Sequence, residues 1–136
     1  MEELSLLFYA FSSQKERSIF DGSCFLELQY CRLPKNTSID IIVSVHSISP
    51  WQDDSLYVHG VDQNLFFKEY RYIFDCGVYN NLQTGTVDPW GINYYGPNKI
   101  DGIIAKLNEV KPTDYQTLVE WISTAKIHNG FYILGV

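Results

Sequence analysis

Residues 96–136 constrain the fold more tightly than any other stretch, because two bounded helical stripes are followed there by a short apolar run. Gly96-Pro97 opens the first helix, since proline at the first helical position gives up no hydrogen bond the helix needs. Ile100, Ile103, Ile104, Leu107 and Val110 then recur at helical spacing on one stripe. Pro112 ends that unit. Thr113-Asp114-Tyr115-Gln116 reads as a capping box, in which the Thr113 and Gln116 side chains each satisfy an orphan backbone amide. Tyr115, Leu118, Val119, Ile122 and Ala125 form a second stripe, and Asn129-Gly130 supplies a left-handed stop. The closing run FYILGV, residues 131–136, is bounded and short, so it reads as a buried strand whose removal should destabilise the fold.

Upstream, the pattern predicts mostly strands. Residues 4–12 are rich in β-formers and aromatics, with a break at Ser12-Ser13-Gln14-Lys15 and a turn at Phe20-Asp21-Gly22-Ser23. Residues 24–32 alternate imperfectly and read as a strand, with a short helix as the alternative. A loop follows at 34–37. In residues 38–47, Ile39, Ile41, Val43 and Val45 recur at period two, which predicts a strand with its odd positions toward the core. Residues 48–54 are loop, and 56–61 and 66–75 read as strands. The even-numbered row Phe66, Tyr70, Tyr72 and Phe74 suits a packed sheet face. Asn80-Asn81 and Thr84-Gly85 signal turns, and 91–95 adds a short strand. The expected fold class is therefore α+β: a mainly antiparallel sheet packed by two C-terminal helices, with a C-terminal strand in the sheet.

At 136 residues, a single globular domain spanning 1–136 is the natural reading. A chain of this size buries about two-thirds of its unfolded surface and needs neither metal nor disulfide to fold. Cys24, Cys31 and Cys76 are odd in number and not at metal-ligand spacing, which suits reduced thiols in a cytoplasm. The start Met1-Glu2-Glu3 is acidic where a secretory signal would be basic, and no run of about 18 apolar residues is present. No membrane association is expected.

The chemistry-bearing motifs are missing. The histidines His46, His59 and His128 are available as bases, but there is no G-x-S-x-G elbow and no family-type signature around any cysteine, so no catalytic residue is assigned. His46, His59 and Asp62 lie on neighbouring segments but lack a metal-binding spacing, and neither a metal nor a cofactor is expected. No phosphate-cradling glycine motif occurs. Paired carboxylates of glycosidase type are available in any acidic chain and signal nothing specific. With 10 basic residues against 16 acidic ones and a net charge of −6, direct nucleic-acid binding is disfavoured.

The distribution of charge says more. No Lys or Arg occurs between Asp40 and Phe67, or again between Tyr72 and Asn98. Those stretches hold Asp40, Asp53, Asp54, Asp62, Asp75 and Asp88 together with Trp51, Tyr57, Tyr79, Trp90, Tyr94 and Tyr95. The chain as a whole carries 10 Tyr, 8 Phe and 3 Trp, and such rings supply large contact area at low entropic cost, whether in the core or at an interface. Aromatic anchors bury area while carboxylates steer and pair with a cationic partner. Trp51, Asp53, Asp54, Tyr57, Asp62 and Trp90 are the candidate partner-binding residues.

A single acidic, aromatic-rich α+β domain without catalytic signatures resembles the immunity proteins of bacterial toxin systems, including contact-dependent growth inhibition. Tyr94-Tyr95-Gly96-Pro97, a helix, a second helix around Val119-Glu120-Trp121-Ile122 and then Gly130-Phe131-Tyr132-Ile133-Leu134-Gly135 is similar to the ending of several such domains. The likeness covers roughly the last 40 residues. It implies tight binding to a cognate toxin domain, often a nuclease whose cleft is basic, and carries no residue-by-residue binding motif. The alternative is a small-ligand-binding protein or small enzyme with an aromatic-lined pocket, in which His46 or His59 would be the acid–base group. A DNA mimic would need denser acidic charge, and an adaptor would dimerise through a sheet edge.

Overall fold

The terminal apolar run lies in the middle of a sheet. The structure is a computed structural model that describes residues 6–20 and 25–135. In chain order the elements are α1 (Gln14–Phe20), β1 (Phe25–Tyr30), α2 (Ile39–Ile42), β2 (Leu56–His59), α3 (Gln63–Tyr70), β3 (Gly77–Tyr79) and β4 (Thr84–Gly85). β5 (Ile92–Tyr95), α4 (Ile100–Val110), α5 (Tyr115–Thr124) and β6 (Phe131–Leu134) follow. The six strands form one antiparallel sheet in the order β2-β1-β6-β5-β3-β4. The fold is α+β, with helices in the C-terminal half and the C-terminal strand inside the sheet. The residue 20–23 turn falls largely outside the described residues, as do Cys24 and residues 4 and 5 of the first expected strand.

Period-two alternation decides what each sheet face packs against. Leu26, Leu28 and Tyr30 of β1, Phe131 and Ile133 of β6 and Tyr95 of β5 meet α3, α4 and α5 in the main core. The opposite face carries a smaller cluster of Cys31, Tyr94 and Tyr132 with Ile42 and Val43. Because β1 is covered on both sides, its alternation looks imperfect in the sequence: Glu27 and Gln29 are buried too.

Three segments expected as strands are not. Residues 38–47 fold as α2 and a 3-10 turn at Val45–Ser47. Adjacent Ile42 and Val43 are buried, whereas Ile39, Ile41 and Val45 are exposed. Side chains replace the ladder in satisfying this backbone: Tyr132 donates to the Ile42 carbonyl at 2.7 Å, Asn80 to that of Val43 at 2.8 Å and Ser47 to that of Ile41 at 2.6 Å. Residues 66–75 are α3 and the turns after it. Phe66, Tyr70 and Phe74 share a face at four-residue spacing, which both periods produce, while Tyr72 stands 69% exposed. Residues 6–12 form no named strand among the described residues, and Tyr9 makes an isolated bridge, exchanging bonds of 2.9 and 2.8 Å with Tyr57 of β2. The amides of Leu7 and Phe8 bond the Asp114 carboxylate instead, each at 3.0 Å.

Two caps also differ from expectation. Thr113 gives both its amide and its hydroxyl to Glu69 of α3, so the capping box at 113–116 does not form and Asp114 takes the N-cap position. A box-like arrangement forms where the sequence reads as a break. Ser13 accepts the Glu16 amide at 3.0 Å and Glu16 reaches back to Ser12, starting α1. Thr84-Gly85, read as a turn, is instead strand β4, paired with β3. Pro97 leads through a 3-10 turn into α4, and Gly130 takes φ 80° ahead of β6.

Candidate functional site

The sheet face turned away from α3, α4 and α5 is only partly covered, and a groove of about 550 Å³ remains there. Its floor is Phe25 and Glu27 of β1, Leu134 of β6 and Ile92 of β5, which the register sets side by side: Glu27 opposite Leu134, Leu134 opposite Ile92. Val45, Ile48 and Pro50 wall one side, Trp90 and Gly91 another, and Arg17 of α1 contributes a guanidinium. Most of the wall comes from the two stretches without Lys or Arg.

Glu27 is 5% exposed, and its carboxylate is saturated. Oε1 accepts the Trp51 amide at 2.9 Å. Oε2 accepts the Gln52 amide at 3.2 Å, the Ser55 hydroxyl at 2.8 Å, the Gln29 side-chain amide at 3.0 Å and the Tyr57 hydroxyl at 3.3 Å. A buried carboxylate met by this many donors organises structure and has little capacity left for a ligand. It pins the 49–54 loop over β1. Burial, then the neighbouring Glu27 charge, push the Tyr57 phenol well above its usual value.

Arg17 is held differently. Its guanidinium lies 5.1 Å from the Tyr57 ring centroid and 5.8 Å from that of Phe25. Among the described residues the guanidinium makes no hydrogen bond or ion pair.

Trp90 forms the groove's exposed rim at 79% accessibility, and its backbone is locked. The Trp90 amide bonds Asp88 Oδ1 at 3.0 Å. The fully buried Asn93 accepts the Asp88 amide at 2.7 Å and donates to the carbonyls of Asp88 at 3.0 Å and Ile133 at 2.9 Å. Gly135 bonds the Gly91 carbonyl at 2.8 Å, and a Cβ at Gly135 would overlap the Pro89 carbonyl. An indole is thereby held out in solvent on a fixed stem.

The six residues singled out in the sequence do not come together as one patch. Asp53 and Asp54 precede β2 and Asp62 follows it, so roughly 13 Å of strand separates them. Asp53 is exposed, while Asp54 forms an ion pair with Arg32 and lends its carbonyl to the Trp121 indole at 2.8 Å. Asp62 is half-buried and its side chain caps nothing. Tyr57 is fully buried and cannot be a surface contact. Trp51 is half-buried, with φ 66° and a buried indole N–H that has no hydrogen-bond partner among the described residues. Only Trp90 lines the groove. Of the histidines, His46 is exposed and His59 is buried with Nδ1 accepting the Val61 amide at 3.3 Å, and neither lines the groove.

The sequence reading missed Arg17, Glu27 and Asn93. Ser13-x-x-Glu16 was the available signal for a helix presenting Arg17. No local pattern marks Glu27, because four of its five partners are 24 to 30 positions away and the fifth, Gln29, is one strand residue among others. Among the described residues, no group of three or more His, Cys, Asp and Glu could hold a metal, Cys31 and Cys76 are free thiols, and no helix is long and apolar enough to cross a membrane. Comparison with protein-family models, curated proteins and solved structures gives no match to this chain.

Proposed function

We propose that this chain is an immunity-type inhibitor, which neutralises a cognate toxin domain by covering it with the groove-bearing face. The observation that carries the reading is Trp90. The Asp88–Asn93 network fixes the backbone that carries this large ring, 79% exposed, so little main chain has to be ordered when the ring is buried by a partner. Rigid aromatic anchors lose little entropy on association and are the usual hot spots of interfaces. Val45, 61% exposed on the same groove, extends the apolar contact. The exposed Asp53 has no ion-pair partner among the described residues and is available to steer a cationic toxin, whereas Asp54 is already engaged by Arg32. Among the described residues no Cys, Ser or His lines the groove, which favours occupancy over turnover.

The test is protection. The tagged chain is used to capture toxic domains from its own host, and cells expressing each captured domain are scored for survival with and without the chain. Protection is expected for one cognate domain, with Trp90→Ala abolishing it and Asp53→Lys slowing association at low salt. A folded chain that protects against none of them removes the proposal.

A further inference from the structure

We infer that the groove is also a small-molecule site, which takes an apolar monocarboxylate with its carboxylate on Arg17 and its hydrocarbon along Phe25, Ile92 and Leu134. The volume of about 550 Å³ falls among ligand pockets, which combine mainly apolar walls with a few polar groups. Among the described residues, Arg17, Glu27 and Asn80 are the charged or amide side chains that line this one, and two of them are occupied. Glu27 accepts five hydrogen bonds, and Asn80 is spent on the Val43 carbonyl. Arg17 alone is uncommitted among the described residues. Its position over two aromatic rings holds the planar guanidinium in place while leaving its N–H edge to donate. A guanidinium without an anion, beside an apolar trough, selects a ligand with a carboxylate at one end and no other charge.

The chain's overall negative charge does not oppose this. Repulsion from exposed acids is screened beyond roughly 8 Å at physiological ionic strength, whereas a bidentate guanidinium–carboxylate contact is direct. Asp88, beside the groove wall, already accepts the Trp90 amide. The Glu27 charge is spread over its donors.

The site is independent of the toxin reading, because binding is measured on the isolated chain. Decanoate, decanol and decyltrimethylammonium share one tail and differ only in head charge. Each is titrated by calorimetry and by tryptophan fluorescence, with Trp90→Phe locating the optical signal. Decanoate is expected to bind tightest. Arg17→Gln should weaken it by about tenfold or more, Arg17→Lys by less, and neither should alter decanol binding. Leu134→Trp, which fills the trough, should abolish binding of all three. Arg17→Gln lies on a half-exposed helix position, so it tests the site even if Leu134→Trp fails to fold. Decanoate binding that is unchanged in Arg17→Gln, decanol binding as tightly as decanoate, preference for the ammonium, or no binding of any probe at millimolar concentration would each overturn the assignment.

Discussion

Glu27 Oε1 accepts the backbone N–H of Trp51 at 2.9 Å, and Trp51 holds a left-handed backbone at φ 66°. A bulky residue in that region costs on the order of 1–3 kcal/mol unless its surroundings enforce it. The saturated carboxylate is the enforcing element. Glu27→Gln replaces one acceptor oxygen with a donor that faces other donors, and should destabilise the protein by about 2–4 kcal/mol. Urea denaturation measures the loss. Limited proteolysis of the variant should cut first within residues 49–54, and a variant as stable as the parent would deny Glu27 this role.

The α3 face makes a sharper distinction. Phe66→Ala should cost about 3–5 kcal/mol, because the ring is fully buried between Phe8, Tyr70 and Phe74. Tyr72→Ala should stay within about 0.5 kcal/mol. A strand carrying Phe66, Tyr70, Tyr72 and Phe74 on one face would make both changes severe, so thermal melts of the pair test helix against strand.

That pair also shows what the sequence could and could not reveal. Four-residue spacing satisfies period two as well as a helix, so Phe66, Tyr70 and Phe74 do not discriminate between them, and Tyr72 tips the reading toward a strand. Residues 38–47 mislead through the Ile39-x-Ile41-x-Val43-x-Val45 alternation, because the groups that satisfy the Ile42 and Val43 carbonyls, Tyr132 and Asn80, are 37 or more positions away. The C-terminal helices and strand are legible because their determinants are local: Pro97, Pro112, Gly130 and two stripes. Most of the groove is not. Strand register and long-range hydrogen bonds build it, and only the exposed ring of Trp90 stands out as a contact candidate.

Trp90 and Asn93 should separate binding from stability. Trp90→Ala removes an exposed ring and should alter stability by less than about 0.5 kcal/mol, while costing about 2 kcal/mol or more in affinity for the proposed toxin. Asn93→Ala leaves the part-buried Asp88 amide without its acceptor and should cost about 1–3 kcal/mol of stability. Calorimetric unfolding beside a binding titration reads both. Equal destabilisation by the two changes would contradict the view of Trp90 as a presented ring.

Gly130 sets the entry to β6. Its φ of 80° suits glycine, and a Cβ there would overlap the Tyr95 carbonyl. Gly130→Ala should cost about 2 kcal/mol or more. Deleting residues 131–136 should prevent folding, since β6 joins β1 to β5 and its loss divides the sheet. Circular dichroism of the truncated chain checks this, and a retained cooperative melt would refute it.

Alkaline pH should unfold the protein through its buried phenols. Burial raises Tyr30 from 10.0 to about 12, and its hydroxyl donates to the Trp121 carbonyl at 2.7 Å, a bond that the phenolate cannot make. Tyr57, Tyr70, Tyr94, Tyr95 and Tyr132 shift in the same direction, burial again being the largest cause. The unfolded chain loses these protons near pH 10 while the folded chain retains them, so above that pH the folded state binds more protons. Stability must then fall as pH rises. The Tyr30 contribution is complete below about pH 10 and is lost by about pH 12, with the other five phenols steepening the decline. Phenolate absorbance followed alongside far-ultraviolet circular dichroism should show ionisation and unfolding in one cooperative step. Most of the tyrosines ionising near pH 10 with the dichroism intact would mean that these rings are solvated.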